Sequence, residues 1–473
     1  WGIDQSLKTP YSYTVDFSVG RALPNKFSLQ LSYVGRFGRN LLTQRDLTQP
    51  LDLTDPKSGI DYYTAATAFS KLARSQGLSP TQLTPSQFDA LLGGTAAYWK
   101  NLLAPYGSSQ PGLAKNAQFF YMPVSLPKFT TTDVAQAAYS LYVTSGAFAG
   151  DEVVGLGNID LFGLIFDNAP NVNAFYGSGT GNSYFFNGKS GEMLSQQLTS
   201  MYGWSSIGNS NYNALQASLR KQLGSGVQFD LNYTYSKSID ITSGSARLGY
   251  SGSDNIGAPG SRLPNAFFPN QFRAVSDFDT THQINADWIV DVPVGKGRRL
   301  ARNAGSVLDA VIGGWQLSGL ARWTSGFPFS VDNGQFWPTD WDEQGSAQLV
   351  GRPKTGAFMQ PNGVVSIFAN PAAALNDFVH PFPGGSGTRN GLRGNGYAGL
   401  DMSLTKRWKM PWESHSLQFR WEVFNVPNLK RFNVLGGLGD LAPSLQQVPQ
   451  AFGAYTGLLT QPRVMQFALR YEF

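Results

Sequence analysis

Cysteine is absent from the 473 residues, which excludes disulfides and thiolate metal sites. Histidine is scarce: His282, His380 and His415 stand far apart, and no spacing suggests the three or four ligands of a zinc site. Charged side chains make up 14% of the chain, against about 25% in ordinary globular domains. No run approaches the roughly 18 apolar residues of a transmembrane helix, so a closed β-barrel is the membrane-spanning option left. The net charge of +5 is a weak argument for a polyanion, no Lys/Arg cluster is singled out, and nucleic acid is not expected as a partner. Position 1 is Trp1 rather than Met, with no signal peptide; an exported protein of this kind is expected to be processed or truncated at its start.

What the chain does have is alternation. In its last residues Met465, Phe467, Leu469, Tyr471 and Phe473 alternate with Gln466, Ala468, Arg470 and Glu472. A charged face cannot be a dry core, so this strand predicts lipid on one side and water on the other. Eight further segments share the pattern: Tyr11–Gly20, Lys26–Gly35, Asn211–Gln222, Gly226–Ser236, Thr281–Val292, Gly314–Ser325, Gly396–Trp408 and Ser414–Asn425. With Arg463–Phe473 they make nine, each about the length a tilted strand needs to cross a bilayer. Connections alternate between short (21–25, 223–225, 409–413) or intermediate (293–313) and long (36–210, 237–280, 326–395, 426–462). Short periplasmic turns and long extracellular loops give that order, so Tyr11 is placed outside and Phe473 at the periplasmic end.

The long 36–210 segment carries helix signals. Thr84, Pro85, Ser86 and Gln87 form a capping-box pattern followed by the stop Gly93–Gly94. Over Asp61–Gln76, Ala65, Phe69, Leu72 and Ala73 share one face before Gly77. The expected layout is barrel strands over 1–35, a large extracellular loop or cap over 36–210, and barrel strands with extracellular loops over 211–473.

Six stretches carry a family likeness: "PYSYTVDFSVGRALPNKFSLQLSYVGRFGRNLL", "NSNYNALQASLRKQLGSGVQFDLNYTYSKSID", "SDFDTTHQINADWIVDVPVGKGRRL", "IGGWQLSGLARWTSGFPFSV", "NGLRGNGYAGLDMSLTKRWKM" and "LQFRWEVFNVPN". Together they resemble the C-terminal barrel of TonB-dependent outer-membrane receptors, in the Oar-like group whose members carry a carboxypeptidase-regulatory-like N-terminal domain. The resemblance implies an all-β fold: a transmembrane antiparallel β-barrel of about twenty-two strands, of which about nine form the C-terminal portion here, with long extracellular loops containing short helices. It implies ligand uptake across the outer membrane through a plugged barrel, without catalysis or cofactor. Its implied partners are outer-membrane lipid, TonB and a plug domain, and the barrel-assembly machinery engaging the C-terminal strand at Tyr471 and Phe473. The signal peptide, regulatory-like domain, TonB box and plug of such receptors are not in this sequence. An odd strand count beginning outside is what a cut inside an extracellular loop leaves, and the first and last strands are then expected to be open edges. The alternative function is an adhesion or interaction protein whose wall displays the cap.

Several residues invite sharper readings. Asp16, Arg220, Asp230, Asp287, Asp291, Arg322, Asp401, Arg407, Arg420, Glu422, Arg470 and Glu472 take lumen-facing positions, where mixed charge pairs on a wet wall. Asp277, Asp279 and His282 suggest loop anchoring, with a hydrolytic base as the bolder alternative. Trp337, Trp341, Asp340 and Asp342, near Asp332, Asn333, Phe336 and Glu343, are the candidate ligand-contact loop: aromatics stack on a sugar, and the oxygens suit calcium without matching a defined calcium loop. Gly295–Lys296–Gly297 lies in a periplasmic turn and lacks the phosphate-loop pattern. Tyr11, Trp315, Trp323, Trp408, Trp412, Tyr471 and Phe473 fit interface girdles.

Overall fold

In the computed structural model of the chain, residues 2–46, 55, 57–76, 83–102, 133, 135–136, 139, 202–224, 226–243, 263, 268–333, 346–412, 415–434, 443–445 and 447–473 are described. Nine strands form one continuous antiparallel wall: β1 (Tyr11–Leu23), β2 (Phe27–Asp46), β3 (Tyr202–Gly224), β4 (Val227–Asp240), β5 (His282–Asp291), β6 (Trp315–Thr324), β7 (Ala398–Lys409), β8 (Ser416–Phe424) and β9 (Val464–Glu472). Each pairs with its neighbour in sequence, as the alternating connections require. The ladder holds the expected register. Leu404, Trp421 and Phe467 align on one face, and Ser403, Glu422 and Gln466 on the other. Among the described residues β1 and β9 pair only inward, leaving the wall with two open edges.

The apolar face is exposed along its length: Tyr13, Val15, Phe17, Phe467 and Leu469 all lie open. Gly319 makes room on this face for the indole of Trp288 opposite it, where an added Cβ would fall 2.3 Å from Cζ2. The opposite face is polar and paired. Arg220 Nε meets Asp230 Oδ2 at 2.7 Å, Asn232 donates to the other carboxylate oxygen at 2.9 Å, and Gln316 donates to Asp291 at 3.1 Å. Arg407 pairs with Glu472, which also lies 3.3 Å from Arg470, while Arg420 reaches Glu422 at 3.2 Å.

Three strands outrun the expected segments at the long-loop end. β2 continues to Asp46, β3 begins at Tyr202 and β4 ends at Asp240. Register shifts between Gly38 and Leu41 and between Leu41 and Thr43 break the period of two there, while backbone pairing continues. The signal fades because beyond the bilayer the two faces no longer meet different solvents. Gly2–Ile3 adds a short parallel pair to Gly203–Trp204 that the alternation does not show.

The helix signals hold. α1 (Tyr62–Gln76) buries Ala65, Phe69, Leu72 and Ala73, and Asp61 Oδ1 accepts from the Thr64 N–H at 2.7 Å. α2 (Pro85–Leu91) starts on a complete capping box between Thr84 and Gln87. α3 (Ala96–Leu102) brings Trp99 onto Phe69, rings stacked at 4.6 Å, with Phe88 and Tyr139 against the same ring. A second core lies in the loops after β6 and β8: Phe329, Val331, Ile367, Phe368, Phe378, Val434 and Phe452, with Phe368 stacked on Phe452 at 4.9 Å. Around it sit the hairpin of Thr355–Met359 with Val365–Phe368 and the helix α5 (Pro371–Leu375).

Candidate functional site

The long-loop rim is where separate segments meet, and a buried arginine joins them. Arg389, with a side chain 4% exposed, lies 2.9 Å from Asp240 and 2.9 Å from Asp277. It also donates to Ser243 Oγ at 2.9 Å and to the Phe272 carbonyl at 3.2 Å. Asn390 donates to the same Asp277 oxygen at 2.7 Å, and Arg393 pairs with Asp279 while donating to the Gly326 carbonyl at 3.1 Å. A charge withdrawn from water is costly unless paired and hydrogen-bonded; the two terminal nitrogens of Arg389 are paired or bonded, while its Nε has no hydrogen-bond partner among the described residues.

The residues offered as a hydrolytic base are thus divided among other tasks. Asp277 and Asp279 anchor the loops, Asp279 also accepting from the Ser238 N–H at 2.6 Å. His282 pairs in register with Tyr235, Nδ1 lies 2.9 Å from the Tyr233 hydroxyl, and the ring packs near Trp323 on the apolar face. Loop anchoring is the geometry observed. Trp337, Trp341, Asp340 and Asp342, with Phe336 and Glu343, lie outside the described residues. Both ends of their loop are fixed: Asp332 bridges Ser346, its N–H donates to the Pro443 carbonyl at 2.8 Å, and Asn333 is buried. Sequence reasoning missed Arg389, Asp240 and Ser243, which leave no local signal because their partners lie in other loops.

Above the rim the cap opens a cleft of about 710 Å³ lined by Thr64, Thr67, Lys71, Ser75, Leu91 and Thr95, with Pro383 at its edge. α1 docks there: Arg74 donates to the His380 carbonyl at 2.8 Å and lies 4.2 Å over the Phe382 ring. Lys100 ties α3 to Asp89 and, at 3.1 Å, to Asp133; desolvation lowers its pKa, yet the two carboxylates outweigh this and the net shift is upward.

At the other end Tyr471 and Phe473 project on the apolar side, and Tyr471 shares a 2.6 Å hydrogen bond with His415 Nδ1 beside Trp412. The turn between β5 and β6 brings together Lys296, Arg298, Arg299 and Arg302, all exposed. This corrects the reading that no cationic cluster stands out: the four are diluted by glycine and leucine in the sequence.

The outer membrane beta barrel domain family matches the chain over residues 1–112 and 154–466. The chain belongs to that family. Its wall lies in the outer membrane, the exposed apolar face toward lipid and the ion-paired face toward the lumen. No curated protein matches the chain. Among solved structures it is similar to the outer membrane transporter YddB from Escherichia coli, at 7% identity and a TM-score of 0.35, covering 100% of this chain. The chain spans 34% of that protein's length.

Proposed function

We propose that this barrel wall serves ligand uptake across the outer membrane, as part of a TonB-dependent receptor of the Oar-like group. The observation that supports it most is the polar inner face, ion-paired from the periplasmic end upward, beneath a cap with an open cleft of mixed polar and apolar lining. A polar, paired inner face suits a hydrophilic path along the wall. In this reading the outer loops capture ligand, a plug in the lumen rearranges under TonB, and the paired charges present a hydrophilic path. The exposed Tyr471 and Phe473 are assigned to recognition by the barrel-assembly machinery.

Adhesion is the second reading, favoured by the two well-packed cores on the outer side, one in the cap and one in the loops. One experiment separates them. Cells with and without the protein are compared for depletion of dissolved compounds from their medium by mass spectrometry, with and without a protonophore. Uptake predicts a compound whose depletion requires both the protein and the proton-motive force. Unchanged depletion together with lost surface attachment rules for adhesion.

A further inference from the structure

The periplasmic turn between β5 and β6 ends in helix α4 (Ser306–Ile312). Its backbone is fixed. Gly295 N–H donates to the Leu300 carbonyl and Leu300 N–H to the Pro293 carbonyl, both at 2.9 Å. The one carboxylate of the turn, Asp309, accepts from the Lys296 N–H at 2.6 Å. Gly295 takes φ +123° beside it, where a Cβ would sit 2.5 Å from Asp309 Oδ1. Lys296, Arg298, Arg299 and Arg302 project into solvent around this frame.

The helix rests on the lipid side of the wall. Trp315 Nε1 donates to the Val311 carbonyl and Trp408 Nε1 to the Ala310 carbonyl, each at 2.8 Å. Lys406 caps the helix end at the Gly313 carbonyl and reaches that of Asp309 at 3.3 Å. By register, Trp315 and Lys406 stand in line with Phe419 and Leu469 on the lipid face. So α4 is outside the barrel, not under its lumen. Its own apolar side points away from the wall: Val307 is 84% exposed, Leu308 52% and Val311 63%, and among the described residues nothing covers them. These positions share one helical face.

We propose that this turn is a binding site for an anionic phospholipid of the periplasmic leaflet. Val307, Leu308 and Val311 continue the lipid-facing band to the acyl boundary, and the three arginines and Lys296 take the headgroup phosphates, arginine by its two-pronged geometry. Continuity with the lipid band and the excess of four cations over one occupied carboxylate single out a negatively charged lipid rather than a protein. This goes beyond the uptake reading and is independent of it.

Because the chain has no cysteine, Val307→Cys carries a unique fluorophore. The protein is extracted from outer membranes and placed in phosphatidylcholine nanodiscs doped with either brominated phosphatidylglycerol or brominated phosphatidylcholine at equal mole fraction. Brominated phosphatidylglycerol should quench more strongly by about threefold, and Arg298→Gln/Arg299→Gln/Arg302→Gln should bring the ratio close to one. Should that variant fail to assemble, the Val307→Cys protein alone decides: its lipid preference should collapse as salt is raised to about 1 M, since the cations are exposed. Equal quenching by the two lipids, or a preference that salt leaves unchanged, overturns the proposal. So does a label open to aqueous iodide, or one shielded from iodide and both lipids alike, which marks a protein partner.

Discussion

Arg389 is the residue on which the rim turns. Replacing it with Met removes the cation and strands Asp240 and Asp277 in a buried setting, at a cost of about 3–5 kcal/mol. Arg389→Met should open 238–243 and 269–279 to protease and speed their amide exchange, while β7 and β8 stay protected; unchanged cleavage there contradicts the anchoring role. Asp4 gives a pH signature. The Ser6 hydroxyl and N–H, then Ser205 and Arg45, hold its carboxyl well below the usual carboxylate range. A lowered folded pKa stabilises above the unfolded value near 3.9 and stops doing so as pH falls from there toward the folded pKa. Amide protection of Ile3 and Trp204 should therefore fall as pH drops below about 4, and Asp4→Asn, already lacking the charge, should show no such step. Of these residues the sequence showed Asp277 and Asp279 as anchors but not Arg389. Its partner Asp240 is 149 positions away, and no periodicity connects them.

At the scale of elements, all nine strands were legible because each is pressed between two different solvents, and side-chain character must then change at every residue. α1 and α2 were legible through a buried stripe and a capping box, both local. The extensions of β2, β3 and β4 past the bilayer were not, since a strand wetted or covered on both sides keeps its ladder and loses its alternation. The register of β9 is tested by spin labels at Leu469→Cys and Arg470→Cys. Oxygen should relax the first more strongly and a water-soluble nickel reagent the second; the reverse would shift the strand by one residue and exchange its faces.

For the molecule as a whole, the outer side is built from loops far apart in sequence that pack directly on one another. Phe452, from the loop after β8, stacks on Phe368 and packs against Phe378 from the loop after β6. Phe452→Ala should cost about 3–5 kcal/mol. Both loops should lose exchange protection together, the wall unaffected; loss confined to one loop would show two separate cores.

That shared core also sets an order of events during assembly. Phe368 is made before β7 and β8, and Phe452 after them. Loop closure over that span is better rewarded once the intervening hairpin has its two strands side by side, which favours stacking of the two rings after that step. Until then Phe329, Val331, Ile367, Phe368 and Phe378 hold apolar surface without its counterpart. The loop core therefore closes late, as a latch that engages best over a correctly registered β7–β8 pair. A slip in that pairing leaves the latch open on the cell surface, where proteases can reach it.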